Sequence, residues 1–85
     1  MNAKYRQYVD GKLNKTSRVE PAETIYKYLD NIQREWSRNL DEVSKNPEAW
    51  RGCNNAKELT REQNKLTVIT TEDKKIEWIF VELKK

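Results

Sequence analysis

The sequence predicts an α+β fold: a long central helix packed on a small antiparallel sheet whose secure part is a C-terminal β-hairpin. Three observations predict it. Between Glu20 and Lys45 the apolar residues Ile25, Tyr28, Leu29, Ile32, Trp36, Leu40 and Val43 fall on one helical stripe about 100° wide. Lys65–Thr71 and Lys75–Leu83 are rich in Val, Ile, Thr, Trp and Phe, the residues that suit a pleated, half-buried surface. In the second of these runs Ile76, Trp78 and Phe80 alternate with Ile79, Val81 and Leu83. That strand is therefore apolar on both faces and needs cover on both.

Taken in order, residues 1–19 form a basic N-terminal segment that admits two readings. Tyr5, Tyr8, Val9 and Leu13 fit a short helix capped by Asn2 and ended near Gly11. Asp10-Gly11 equally fits a type I′ turn joining Tyr5–Val9 to Lys12–Thr16 in a hairpin. A polar loop, Asn14 to Arg18, follows. The long helix is expected over residues 21–45, with Pro21 as its first residue because the missing N–H would have no partner there. Asn46 precedes Pro47, is driven out of the α region and ends the helix. On the outer face Glu23/Lys27, Asp30/Arg34, Arg38/Glu42 and Asp41/Lys45 stand four apart, each pair worth about 0.2–0.5 kcal/mol. Residues 47–63 are expected to make short helical turns. Pro47 to Trp50 is the first, stopped by Gly52. Ala56 to about Gln63, capped by Asn54 or Asn55, is the second, with a thin apolar side of Ala56 and Leu59. Residues 65–83 form the hairpin, connected through Glu72-Asp73-Lys74. The second face of Lys75–Leu83 is to be covered by the N-terminal segment or by another molecule.

Composition narrows the function. Eighty-five residues make one domain with a modest core, since 35% of the chain is hydrophobic and 36% charged. The net charge of +3 is unevenly spread: residues 1–18 hold five basic residues against Asp10 alone, and the remainder holds twelve basic against thirteen acidic. There is one cysteine, Cys53, and no histidine. Zinc sites of the usual Cys/His kind, a histidine base and a histidine pH switch are thereby excluded. A single cysteine without a disulfide framework suits a reducing compartment. The longest apolar run, Trp78 to Val81, is far short of a signal peptide or a membrane span. A cytoplasmic protein with no membrane partner is expected.

The expected enzyme content is nil. Asp41-Glu42 and Glu72-Asp73 lie in polar stretches with no apolar wall to raise a carboxyl pKa. Cys53 has Arg51 nearby to favour its thiolate but no histidine base, so it reads as an inert, buried or half-exposed thiol. Gly11 and Gly52 are the only glycines and make no phosphate loop. No metal ligand set and no cofactor motif is present. The leading expectation is a small non-enzymatic binding protein that occludes a protein or protein–nucleic-acid complex. Trp50 and Arg51 would be its contact residues and Arg34 and Arg38 charged support, because Trp and Arg are enriched at interface hot spots. The free edge of the C-terminal hairpin could dock by strand addition. The richness in Lys, Asn, Ile and Glu resembles that of small accessory and inhibitory proteins of phages and mobile elements, which implies a host cytoplasm.

The alternative is nucleic-acid binding. Lys4, Tyr5, Arg6 and Tyr8, followed by Lys12 and Lys15, interleave cations for phosphates with aromatics for bases. The order of elements also resembles a winged helix, with Asn55–Gln63 in the recognition-helix place and Lys57, Arg61 and Asn64 toward a groove. A homodimer covering the second face of Lys75–Leu83 is compatible with either expectation.

Overall fold

The computed structural model describes residues 1–83. The chain runs β1 (Asn2–Val9), β2 (Lys12–Thr16), β3 (Glu20–Pro21), α1 (Ala22–Lys45), a 3₁₀ turn (Pro47–Trp50), β4 (Ala56–Glu62), β5 (Lys65–Thr70) and β6 (Lys75–Leu83). The strands form one antiparallel sheet in the order β2-β1-β6-β5-β4, and the two-residue β3 pairs with the start of β1. The fold is α+β, with α1 laid across one face of the sheet.

The N-terminal ambiguity resolves in favour of the hairpin. Asp10 and Gly11 both have positive φ, 51° and 84°, as a type I′ turn requires. The turn is held from outside its own hairpin. Asp10 N–H donates to the Lys75 carbonyl at 2.8 Å, and the Asp10 carboxylate accepts from the Lys75 N–H at 2.9 Å. β1 then runs beside β6 in unbroken register from Asn2↔Leu83 to Val9↔Ile76. β6 is therefore a central strand, with β1 on one edge and β5 on the other, and not the free hairpin edge expected.

The helix starts at Ala22, one residue later than expected. Pro21 precedes it in an extended conformation and pairs with Asn2, so the proline closes the β3 bridge before the helix begins. Ala22, Ile25 and Leu29 are buried, and Ile32, Trp36 and Leu40 pack on the core beneath them. Tyr28, expected on the stripe, is exposed. Tyr26 takes the sheet-facing role and stacks on Phe80 with ring centroids 4.4 Å apart. Residue 26 stands four after Ala22 and three before Leu29 and so shares the flank of those two buried residues.

The second correction concerns residues 56–62, which form a strand and not a helix. Ala, Lys, Glu, Leu and Arg favour a helix locally, but pairing with β5 overrides that preference. As a strand the segment places Ala56, Leu59 and Arg61 opposite Thr70, Val68 and Leu66 on the helix-covered face, across a bulge between Ala56 and Glu58. The winged-helix likeness falls with it, because its recognition helix does not exist. The β5–β6 connection is as expected. The buried Thr70 hydroxyl oxygen accepts from the N–H groups of Glu72 and Lys74 at 3.3 and 3.2 Å, and Asp73 adopts positive φ.

The core lies between α1 and one face of the sheet. Leu66 and Val68 of β5, Trp78 of β6, Ala56 and Leu29 form its main cluster, with Ala3, Ala22 and Ile25 in a smaller one bridged by Tyr5 and Phe80. Leu29→Ala is expected to cost about 3–5 kcal/mol of stability in urea unfolding, because the cavity it leaves is walled by helix and sheet. Val81→Ala, on the opposite face of the sheet, is expected to cost about 1 kcal/mol or less in the same measurement.

Candidate binding surface

Register decides which side chains share a face. Ala3, Tyr5, Trp78, Phe80, Leu66 and Val68 lie under α1. Their strand neighbours therefore point away from it. These are Lys4, Arg6 and Tyr8 on β1, Lys75, Glu77, Ile79, Val81 and Leu83 on β6, Lys65, Thr67 and Ile69 on β5, and Glu58, Thr60 and Glu62 on β4. No described element covers this face. Of the two covers foreseen for β6, the N-terminal segment is not one: it joins the sheet edge to edge.

The uncovered face has a definite layout. Arg6 stands directly beside Ile79, Lys4 beside Val81 and Tyr8 beside Glu77. On the other side of β6, Lys65 is in register with Ile79 and Thr67 with Glu77. Ile79 and Val81 are half-buried, with Lys4, Arg6 and Lys65, themselves half-buried, in register beside them, as long side chains that lay their stems on apolar neighbours would be. Glu77 is the carboxylate that β6 places on this face, and Glu62 of β4 stands in register with Lys65. Lys65 Nζ lies 2.8 Å from Glu77 and Lys75 Nζ 4.0 Å. Hydrogen bonding to Glu77 and its negative charge hold the Lys65 ammonium above the ordinary lysine range. Lys4 and Arg6 make no ion pair among the described residues, nor do Lys12, Lys15 and Arg18 nearby.

The six residues of the basic N-terminal candidate set separate. Lys4, Arg6 and Tyr8 share the uncovered face. Tyr5 turns into the core against both clusters. Lys12 and Lys15 pair with Val9 and Gln7, so they point to the helix side of an exposed edge strand. Lys65 joins Lys4, Arg6 and Tyr8 on the face. Sequence reasoning missed it because its place depends on β1 and β5 flanking the same strand.

The other candidate set is not drawn together by any hydrogen bond or ion pair among the described residues. Arg34 and Arg38 are exposed on α1. Asp30, the expected partner of Arg34, instead accepts from Arg61 Nη1 at 2.8 Å, and Gln33 Oε1 accepts from the same nitrogen at 2.8 Å. Of the expected pairs on the outer helix face only Asp41–Lys45 forms, at 3.1 Å. Trp50 is half-buried on the 3₁₀ turn; Arg51 is exposed and reaches Glu48 at 3.6 Å. Cys53 is exposed. A groove of about 560 Å³ beside α1 is lined by Tyr26, Asp30, Gln33, Arg61, Glu62 and Gln63, with the Arg61 network forming part of its wall.

Asn55, expected to cap a helix, is instead a buried polar hub. Its Nδ2 donates to the Trp50 and Cys53 carbonyls at 3.0 Å each, and its Oδ1 accepts from Asn39 Nδ2 at 3.1 Å. Asn39 Oδ1 in turn accepts from the Ala56 N–H at 2.7 Å. These bonds fix residues 50–56 against α1.

No helix of the described residues is long and apolar enough to cross a membrane, and they contain no cluster of metal-ligating side chains. Comparison of the chain with protein-family models, with curated proteins and with solved structures finds no match.

Asn55→Ala is expected to cost about 1–3 kcal/mol, because it removes the three hydrogen bonds of a buried amide and leaves Asn39 Nδ2 without its partner. Hydrogen exchange should rise in residues 50–56 and stay unchanged in β1. For the Lys65–Glu77 pair the raised lysine pKa sets the sign. Its stabilisation is complete below the unfolded lysine value of about 10.4 and is lost as pH rises through the folded value. Glu77→Gln is therefore expected to flatten the alkaline fall in stability, read by urea unfolding on either side of about pH 10.

Proposed function

We propose that this chain is a small non-enzymatic binding protein that acts by occluding a macromolecular partner, and that its working surface is the uncovered face of the sheet. One observation carries the reading. β6 places Ile79, Val81 and Leu83 on the side of the sheet away from α1, and nothing in the described chain lies over them. Apolar residues that contribute to neither core cluster contribute little to the fold, and a contiguous apolar strip rimmed by charge is how docking surfaces are built. Trp50 and Arg51, with Arg34 and Arg38, remain proposed contacts of a second, helix-side patch.

The test is the double variant Ile79→Thr/Val81→Thr, which keeps β-branched residues in the strand. Its stability is expected within about 1 kcal/mol of the parent, whereas Val68→Thr in the core costs more. An environment-sensitive apolar dye such as bis-ANS is expected to bind the folded parent and to bind the double variant several-fold more weakly. A parent that binds no dye, or a double variant as unstable as Val68→Thr, overturns the reading. Trp50→Ala and Arg51→Ala that both leave partner binding within about twofold remove those two residues from the contact surface.

A further inference from the structure

We propose that the occupant of the uncovered face is a single strand of nucleic acid, its phosphates on Lys4, Arg6 and Lys65 and an unpaired base on Tyr8. The inference rests on the reading of that face as the working surface, and it names the partner's chemistry.

Charge selects the partner. Over β1, β6 and β5 the face carries Lys4, Arg6, Lys65 and Lys75 against Glu77 alone, and Glu77 is already engaged by both Lys65 and Lys75. Lys4 and Arg6 are left without a counter-ion in the described chain. A polyanion satisfies these cations with release of its own counterions. The β4 edge carries Glu58 and Glu62 on the same face, Glu62 in register with Lys65, so it repels a polyanion and holds the path to β1 and β6 with Lys65 at its margin.

Shape selects a single strand. Tyr8 continues the Lys4–Arg6 row of β1, beside Glu77 and diagonally beside Ile79, so its ring borders the Ile79–Val81 strip that Lys4 and Arg6 flank on one side and Lys65 on the other. A base packs on such a surface only when it is unpaired and splayed from its neighbours. A broad sheet face, unlike a helix or a two-stranded ribbon, does not enter a major groove. The separation of roles is specific to the fold. β1 alternates Lys4, Arg6 and Tyr8 outward with Ala3 and Tyr5 inward, so one strand supplies both the core and the platform.

The experiment is fluorescence anisotropy of the full chain with labelled oligo-U RNA, oligo-dT DNA and a duplex of the same length, titrated from about 50 to about 200 mM salt. Both single strands are expected to bind more tightly than the duplex. Three phosphate contacts predict a log–log salt slope of about −2. Lys4→Gln/Arg6→Gln should reduce the slope by about 1.4. Tyr8→Ala should weaken binding about 5- to 150-fold and leave the slope unchanged. Lys27→Gln, on the far side of α1, should change neither. Equal affinity for duplex, a slope unmoved by the Lys4/Arg6 variant, or binding indifferent to Tyr8→Ala overturns the inference.

Light scattering separates the other occupants. A mass twice that of the 10.2 kDa chain that reverts to one copy in Ile79→Thr/Val81→Thr overturns the inference in favour of a second copy. Absence of oligonucleotide binding with dye binding intact overturns the nucleic-acid inference and leaves the binding-face reading standing. Absence of both overturns both.

Discussion

Strand β6 sets the terms for the rest of the molecule. It is apolar on both faces, and it lies in the middle of the sheet with backbone groups to satisfy on both edges. β1 and β5 satisfy those edges from opposite ends of the chain. α1 covers one face through Ile25, Leu29 and the residues packed on them. Among the described residues no second α-helix lies over the other face, and the residues beside its aliphatic strip are the flanking cations. Everything proposed about function follows from that shortfall: one strand with two apolar faces and one cover.

The covering helix is held at both ends by polar contacts that the core alone would not supply. Toward its start, the Tyr26 hydroxyl donates to Asn64 Oδ1 at 2.7 Å, and Arg61 reaches Asp30 and Gln33. These tie α1 to the β4–β5 hairpin. Toward its end, Asn39 and Asn55 join α1 to the start of β4. Among the described residues no buried side-chain nitrogen or oxygen lacks a partner. In a chain with so small a core, an orphaned buried amide would cost a large share of the net stability. Asn39 and Asn55 thus serve the fold, and they leave the sheet face as the surface with unspent chemistry.

That face is divided by charge as well as by shape. Cations on β1 and β5 flank an aliphatic strip on β6, while carboxylates mark the β4 edge. Strand alternation produces this arrangement. The N-terminal run that places Ala3 and Tyr5 in the core must place Lys4, Arg6 and Tyr8 on the other side. The basic N-terminal segment and the two-faced C-terminal strand are separate features in the sequence. They become one surface only when the two strands pair.

The sequence by itself determined the elements whose signals are local. Helical periodicity marked α1 to within a residue, β-branched and aromatic runs marked β5 and β6, and Asp10-Gly11 carried the turn that the structure uses. The same alternation already showed Ile79, Val81 and Leu83 to be in need of cover. Tertiary structure decided what local signals could not. Residues 56–62 have a helix-forming composition and became a strand because pairing with β5 and contact with α1 outweigh propensities of a few tenths of a kcal/mol per residue. Asn55 became a hub because α1 brought Asn39 to it. Lys4, Arg6 and Tyr8 met Lys65 because β1 and β5 pair with opposite edges of one strand some seventy residues from the first of them, a juxtaposition that no local window contains.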